Sequence, residues 1–160
     1  MPDLQAGDKA PDFTALDEQG RKVTLSDYKG QKLVLYFYPK DDTPGCTTEA
    51  CDFNDNLKKL NKLDVAVLGV SRDSAKKHLK FIEKYGLKFP LIADEEGDVC
   101  QKYDTWIQKS MYGKKYMGIE RSTFLIDEKG KIITLWRKVK VEGHVDEIFD
   151  TLKKSTKKAA

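Results

Sequence analysis

The sequence contains no C-x-x-C pair, the spacing shared by dithiol redox motifs and zinc knuckles, so neither accounts for its cysteines. Histidine is scarce: His78 and His144 stand apart, in no context that marks a base or a zinc ligand, and no metal is expected. No glycine-rich phosphate loop appears, and no cofactor is expected. No run approaches the roughly 18 apolar residues of a membrane span, and the N-terminal "MPDLQAGDKAPDF" lacks the apolar core of a signal peptide. These absences point to a soluble, cytoplasmic protein with no membrane partner. Internal repeats and low-complexity segments are also missing.

What is present is 160 residues, 39% hydrophobic, enough for one compact domain over 1–160 and too few for a second. The formal charge is +3, but four lysines lie in the last eight residues, "KKSTKKAA"; without them the balance is 25 basic to 26 acidic. The segment 153–160 reads as a solvated, frayed tail, and no nucleic-acid function is expected. Three cysteines, Cys46, Cys51 and Cys100, without an export signal, suggest reactive or buried thiols rather than structural disulfides.

Along the chain, "FTALDEQGRKVTL" (13–25) alternates about a Gly-containing turn and reads as a β-hairpin. "KLVLYFY" (32–38) is a near-continuous run of strand formers, suited to a central strand buried on both faces. Over 44–62, Cys46, Ala50, Phe53, Leu57 and Leu60 recur at helical period and predict one helix. "DVAVLGV" (64–70) is a second buried strand, followed by a helix capped by Ser74 and ended at Gly86. After a looser region with a short strand at "PLIAD" and a helix near 97–103, "STFLID" and "KIITLWR" flank the turn "EKG" as an antiparallel hairpin. A last helix starts near Val145. The order is that of an α/β thioredoxin-like three-layer sandwich with a mixed central sheet, an N-terminal β-hairpin and a loop insertion before the late hairpin.

Cys46 falls just past the central strand, in the first turn of the following helix, with Thr43 suited to the N-cap and Pro44 to the first helical position. A helix N-terminus carries unpaired N–H groups and about half a positive charge, which favours an anionic sulfur. Asp41, Asp42 and Glu49 oppose that charge unless a cation offsets them. Cys46 also fits a small buried hydrophobe on the apolar stripe. Cys51 lies about 140° round the helix, on the face of Asp55, Lys58 and Lys62. Two Cα atoms five residues apart on a helix are ~8.6 Å distant, whereas disulfides need less than about 7 Å. Cys46 and Cys51 bond only if part of the helix unwinds.

The stretch "YPKDDTPGCTTEAC" resembles the active-site segment of the peroxiredoxins, specifically the Q-type or bacterioferritin-comigratory subfamily. Its peroxidatic signature, Pro, three residues, Thr or Ser, two residues, Cys, is met by Pro39, Thr43 and Cys46, and the resolving cysteine five residues on by Cys51. "GDKAPDFTALDEQGRKVTLSDYKG" and "GIERSTFLIDEKGKI" extend the resemblance over most of the chain.

The resemblance implies that Cys46 attacks hydrogen peroxide or an organic hydroperoxide, that Cys51 resolves the resulting sulfenic acid, and that thioredoxin or a similar dithiol restores the thiols. It implies further that Thr43, the amides near Gly45 and Cys46, and Arg121 bind the peroxide oxygens. Glu49 would orient Arg121, Pro39 would shield the sulfur and Tyr38 would help line the pocket. Independently, if 123–127 pairs antiparallel with 32–38, Arg121 comes beside the end of the central strand and reaches Cys46. Cys100 reads as an inert buried thiol. No cysteine follows it, which excludes resolution by a C-terminal cysteine of a partner chain; an obligate dimer is not implied, and a monomer is expected, with a weak dimer as the alternative. The competing readings are a general thiol-disulfide oxidoreductase, which the missing C-x-x-C disfavours, and a non-catalytic binding module; peroxide consumption with a thioredoxin system separates them.

Overall fold

A computed structural model describes residues 4–159, with side chains over 4–154. The first three residues of the N-terminal stretch and the side chains of the tail beyond Lys154 lie outside the described residues.

The N-terminal hairpin pairs β1 (Thr14–Leu16) with β2 (Lys22–Thr24) in antiparallel register. Its turn is closed by Asp17, whose Oδ1 accepts from the N–H groups of Gln19 and Arg21, and by Gly20 at φ 77°, a conformation that suits glycine. β3 (Lys32–Phe37) leads into α1 (Pro44–Asp55) and α2 (Leu57–Lys62). There follow β4 (Val65–Ser71), α3 (Ala75–Tyr85), β5 (Leu91–Ala93) and α4 (Asp98–Lys102). The chain closes with β6 (Trp106–Met111), β7 (Lys114–Ile119), β8 (Ser122–Ile126), β9 (Ile132–Trp136) and α5 (His144–Ala159).

The central sheet runs β5-β4-β3-β8-β9, parallel between β3, β4 and β5 and antiparallel where β8 joins β3 and β9 joins β8. This is the mixed thioredoxin-like sheet. Every residue of β3 from Leu33 to Phe37 is buried because both faces are covered. Val34, Tyr36, Val67 and Leu125 face α1, α2, α3 and α5, while Leu33, Leu35, Phe37 and Phe124 face the hairpin and α4. The outer layers are therefore unequal, with four helices on one side.

Three expectations change. The helix over 44–62 is two helices, because Asn56 turns out of helical geometry (ψ 5°) and its side-chain amide bonds the Asp52 carbonyl at 2.8 Å. Short polar side chains compete for backbone groups in this way. The apolar stripe nevertheless survives the break, and all five of its residues are buried. The loop insertion is a β-ribbon: β6 and β7 pair from Trp106↔Ile119 to Met111↔Lys114. Tyr112 (φ 52°) and Gly113 (φ 80°) form the mirror-image turn that such two-residue hairpins use. Both faces of the ribbon are largely solvated, with Tyr112 98% exposed, so no alternating apolar pattern announces it. The lysine-rich segment expected to fray continues α5 as far as Ala159.

Candidate active site

The end of β3 and the start of α1 build the site. Thr43 adopts extended N-cap geometry (φ −100°, ψ 155°) and Pro44 supplies the first helical residue without needing an N–H acceptor. The Thr43 hydroxyl does not cap the helix; it donates to the Lys40 carbonyl at 2.9 Å. The N–H groups of the first turn, at Gly45 and Cys46, have no acceptor within the helix. Cys46, the third helical residue, is 2% exposed and sits on the stripe that buries Ala50 and Phe53.

The antiparallel register Phe37↔Ser122 brings Arg121 to the carboxyl end of β3, the neighbourhood where ligand sites of open α/β sheets lie. The Val139 N–H donates to the Arg121 carbonyl at 3.0 Å and fixes the backbone there. The guanidinium bridges two α1 side chains: Nη2 donates to Cys46 Sγ at 3.3 Å and Nη1 to Glu49 Oε1 at 2.6 Å. Gly45 makes room for this contact, since a Cβ there would stand 3.2 Å from Arg121 Nη2.

Glu49 is 1% exposed, and its Oε2 has no hydrogen-bond partner among the described residues. Burial pushes its carboxyl up to about 7, with the Arg121 charge and hydrogen bond pulling the other way. The ion pair is thus held in a low-polarity pocket, where a fixed dipole or charge acts more strongly than in water.

Cys51, also on α1, is half-buried; burial and then the carboxylates of Asp55 and Asp52 push its thiol up. Its expected polar face ends at Asp55, because the break at Asn56 removes Lys58 and Lys62 from that helix. Cys100 is fully buried, and burial followed by Asp94 raises its thiol strongly. Tyr38 lies in the core with its hydroxyl donating to Asp41 Oδ1, and Pro39 is exposed at the start of the loop.

Two features escaped the sequence. His78, on α3, is buried and bonded to Asp41; its position three and four residues before Phe81 and Ile82, on the apolar face, was the available signal. Lys109, on the unforeseen ribbon, lies close enough to Arg121 that burial and that charge lower its ammonium. Among the described residues no three His, Cys, Asp or Glu side chains cluster as a metal would require, and no helix is long and apolar enough to cross a membrane.

The AhpC/TSA family model matches residues 6–134. Peroxiredoxin Bcp of Bacillus subtilis is 54% identical over 97% of this chain and 99% of its own length, and peroxiredoxin Bcp of Escherichia coli K12 is 45% identical over 96% and 98%. Among solved structures, a cysteine-to-serine variant of Xylella fastidiosa PrxQ superposes with a TM-score of 0.91 at 42% identity, covering 98% of this chain and 99% of that one. The bacterioferritin comigratory protein of Xanthomonas campestris, solved as a trapped intermediate/ligand complex in work on its alkyl peroxide reduction activity, superposes with a TM-score of 0.85 at 46% identity over 89% and 91%. With likeness of this extent in both sequence and fold, the chain belongs to the AhpC/TSA family, on its Bcp/PrxQ peroxiredoxin branch, and is a thiol peroxidase.

Proposed function

We propose that Cys46 is the peroxidatic cysteine, Cys51 the resolving one, and that the whole chain works as a single-domain, monomeric cytoplasmic enzyme on hydrogen peroxide and organic hydroperoxides. The Cys46 thiolate attacks one peroxide oxygen, an S–O bond forms as O–O breaks, and the departing hydroxide or alkoxide takes a proton from water. The observation that carries this reading is the Arg121 bridge between Cys46 and Glu49: one arm of the guanidinium donates to the sulfur while Glu49 holds the other, so a fixed positive charge lies beside the atom where the reaction develops negative charge. Thr43 fits beside it: a hydroxyl that gives its hydrogen to the Lys40 carbonyl keeps its lone pairs for a peroxide O–H. Organic substrates are favoured by the alkyl peroxide activity of the Xanthomonas relative.

The Cys51 thiolate then attacks the Cys46 sulfenic acid, forming the disulfide and releasing water. A dithiol such as thioredoxin reduces that disulfide and is itself oxidised. Both cysteines lie on α1, so their Cα separation of ~8.6 Å must shrink by unwinding the helix. The test is amide exchange after one equivalent of hydrogen peroxide, read with mass spectrometry of each cysteine. Exchange across residues 43–55 should rise and recover with dithiothreitol, while β3 stays protected. Cys51→Ser should show no rise and should accumulate sulfenic and then sulfinic acid at Cys46. Equal protection of α1 in the reduced and disulfide forms would falsify the mechanism.

A further inference from the structure

The loop from Tyr38 to Thr43 is tied to α3 as well as to the helix it launches, whose Thr47 N–H donates to the Thr43 carbonyl at 2.8 Å. The Asp41 N–H donates to Asp73 Oδ2 at 2.7 Å, just ahead of α3, and the Tyr38 hydroxyl donates to Asp41 Oδ1 at 2.5 Å. The other carboxylate oxygen, Asp41 Oδ2, stands 2.6 Å from Nδ1 of His78. On the far side of that ring, Nε2 is 2.9 Å from the Ile92 carbonyl oxygen of β5. The next residue, Asp42, sits at φ 57° and bonds Lys84 Nζ at 2.8 Å and the Tyr85 hydroxyl at 2.6 Å, both from the last turn of α3. A non-glycine residue rests in the left-handed region only when its surroundings hold it there.

The hydrogen atoms of the His78 ring can be counted from these partners. A carbonyl oxygen only accepts, so Nε2 carries a hydrogen. A neutral imidazole has none left for Nδ1, and two lone pairs do not approach to 2.6 Å. One further proton therefore lies between Nδ1 and Asp41 Oδ2. The result is a short, buried hydrogen bond in which both ring nitrogens and both carboxylate oxygens are satisfied, with His78 0% exposed. It fixes a point on the loop five residues before Cys46, whereas the Cys46–Arg121 contact is held from the other side by Glu49.

We propose that His78, acting through Asp41, is a positioning residue for the peroxide step: it holds the β3–α1 loop so that the Cys46 sulfur and the Arg121 guanidinium stay in register. This rests on Cys46 being the nucleophile. A reacting sulfur displaced by about 1 Å loses on the order of a hundredfold in rate, and the loop has no other buried charged tie among the described residues.

The test compares two reactions of the same thiol. In His78→Leu, which keeps bulk but loses the donor, the stopped-flow rate constant with hydrogen peroxide should fall by about tenfold or more. Alkylation of Cys46 by iodoacetamide, which needs no alignment with Arg121 across an O–O bond, should change by less than about threefold. His78→Asn, whose amide N–H can replace Nδ1–H, should recover most of the peroxide rate. Peroxide and alkylation rates that fall together, or a folded variant with the wild-type peroxide rate, would overturn the proposal. Should His78→Leu fail to fold, Asp41→Ala gives the same comparison from the loop side. Proton NMR of the reduced wild-type protein, labelled with 15N in histidine, is independent of either variant. It should show a far-downfield proton coupled to the His78 ring environment and lost in Asp41→Ala, and its absence sinks the shared proton. Peroxide oxidation of a thiol other than Cys46 in the wild type would instead sink the assignment of the nucleophile.

Discussion

Cys46 and Cys100 occupy the same place in their helices: each is the third residue, of α1 and of α4, and each is buried. The partners differ. At Cys46 the nearest charged group is a guanidinium whose Nη2 donates to the sulfur at 3.3 Å. At Cys100 a carboxylate has already taken the helix end, with Asp94 Oδ1 accepting from Val99 N–H at 3.1 Å and Oδ2 from Cys100 N–H at 2.9 Å. The amides that favour an anion are thus occupied by one, and burial with the Asp94 charge pushes the Cys100 thiol well up. A helix N-terminus favours an anionic sulfur only where its amides are not already taken by a carboxylate, and of these two thiols Cys46 alone has a cation facing it.

The comparison breaks or holds on replacing each thiol. Cys46→Ser should lower peroxidase turnover with a thioredoxin system by at least about 10⁴-fold, the scale of losing a nucleophile. Cys100→Ser should stay within about twofold of wild type, as expected of a side chain that only packs. Comparable losses in both variants would mean that helix position, and not the facing charge, sets the chemistry.

A smaller effect sharpens the role of the cation. Arg121→Lys keeps the charge but loses the fork that reaches sulfur and Glu49 together, so the stopped-flow rate constant with hydrogen peroxide should drop by roughly 10²-fold. A rate equal to wild type would reduce Arg121 to a bulk charge.

The smallest effect concerns the third thiol. In the proposed mechanism Cys51 must ionise to resolve the sulfenic acid, and in the folded helix burial, Asp55 and Asp52 push its thiol above the ordinary range. The folded helix is the resting state, so its thiol governs where the pH profile bends. Disulfide formation after a peroxide pulse should accelerate with rising pH and level off only on the alkaline side of that range. Asp55→Asn removes one of the opposing charges and should move the levelling to lower pH; an unchanged profile would show that the acidic neighbours do not act on Cys51.

Much of the fold was legible because its signals are local. The α3 boundaries follow from Ser74, whose Oγ accepts from Lys77 N–H at 3.2 Å, and from Gly86 at φ 64°. The buried run of β3 and the hairpin of β8 and β9 were read from strand formers and a turn. The break at Asn56 was hidden because the apolar period continues across it, and the β6–β7 ribbon because only its base, at Trp106 and Ile119, packs on the core while the rest is solvated on both faces. At the candidate site, the helix-start position of Cys46 and its five-residue separation from Cys51 are legible in one short stretch of sequence, while the bond from His78 to Asp41 spans 37 positions, and the place of His78 on an apolar helix face signals its burial but not its partner.

By itself the sequence determined which thiols exist, that Cys46 starts a helix after a buried strand, and that Cys51 follows it at a separation no intact helix can bridge. These are matters of short-range geometry, set by helical rise and by the turn chemistry of Thr43 and Pro44. Only the tertiary structure decided which charge each thiol faces. Arg121 reaches Cys46 from 75 positions away through the antiparallel register of β3 and β8, and Asp94 reaches the Cys100 helix from the end of β5. Charges act across space within a few ångströms whatever their separation along the chain, so the packing of the sheet decides which sulfur faces a cation and which a carboxylate.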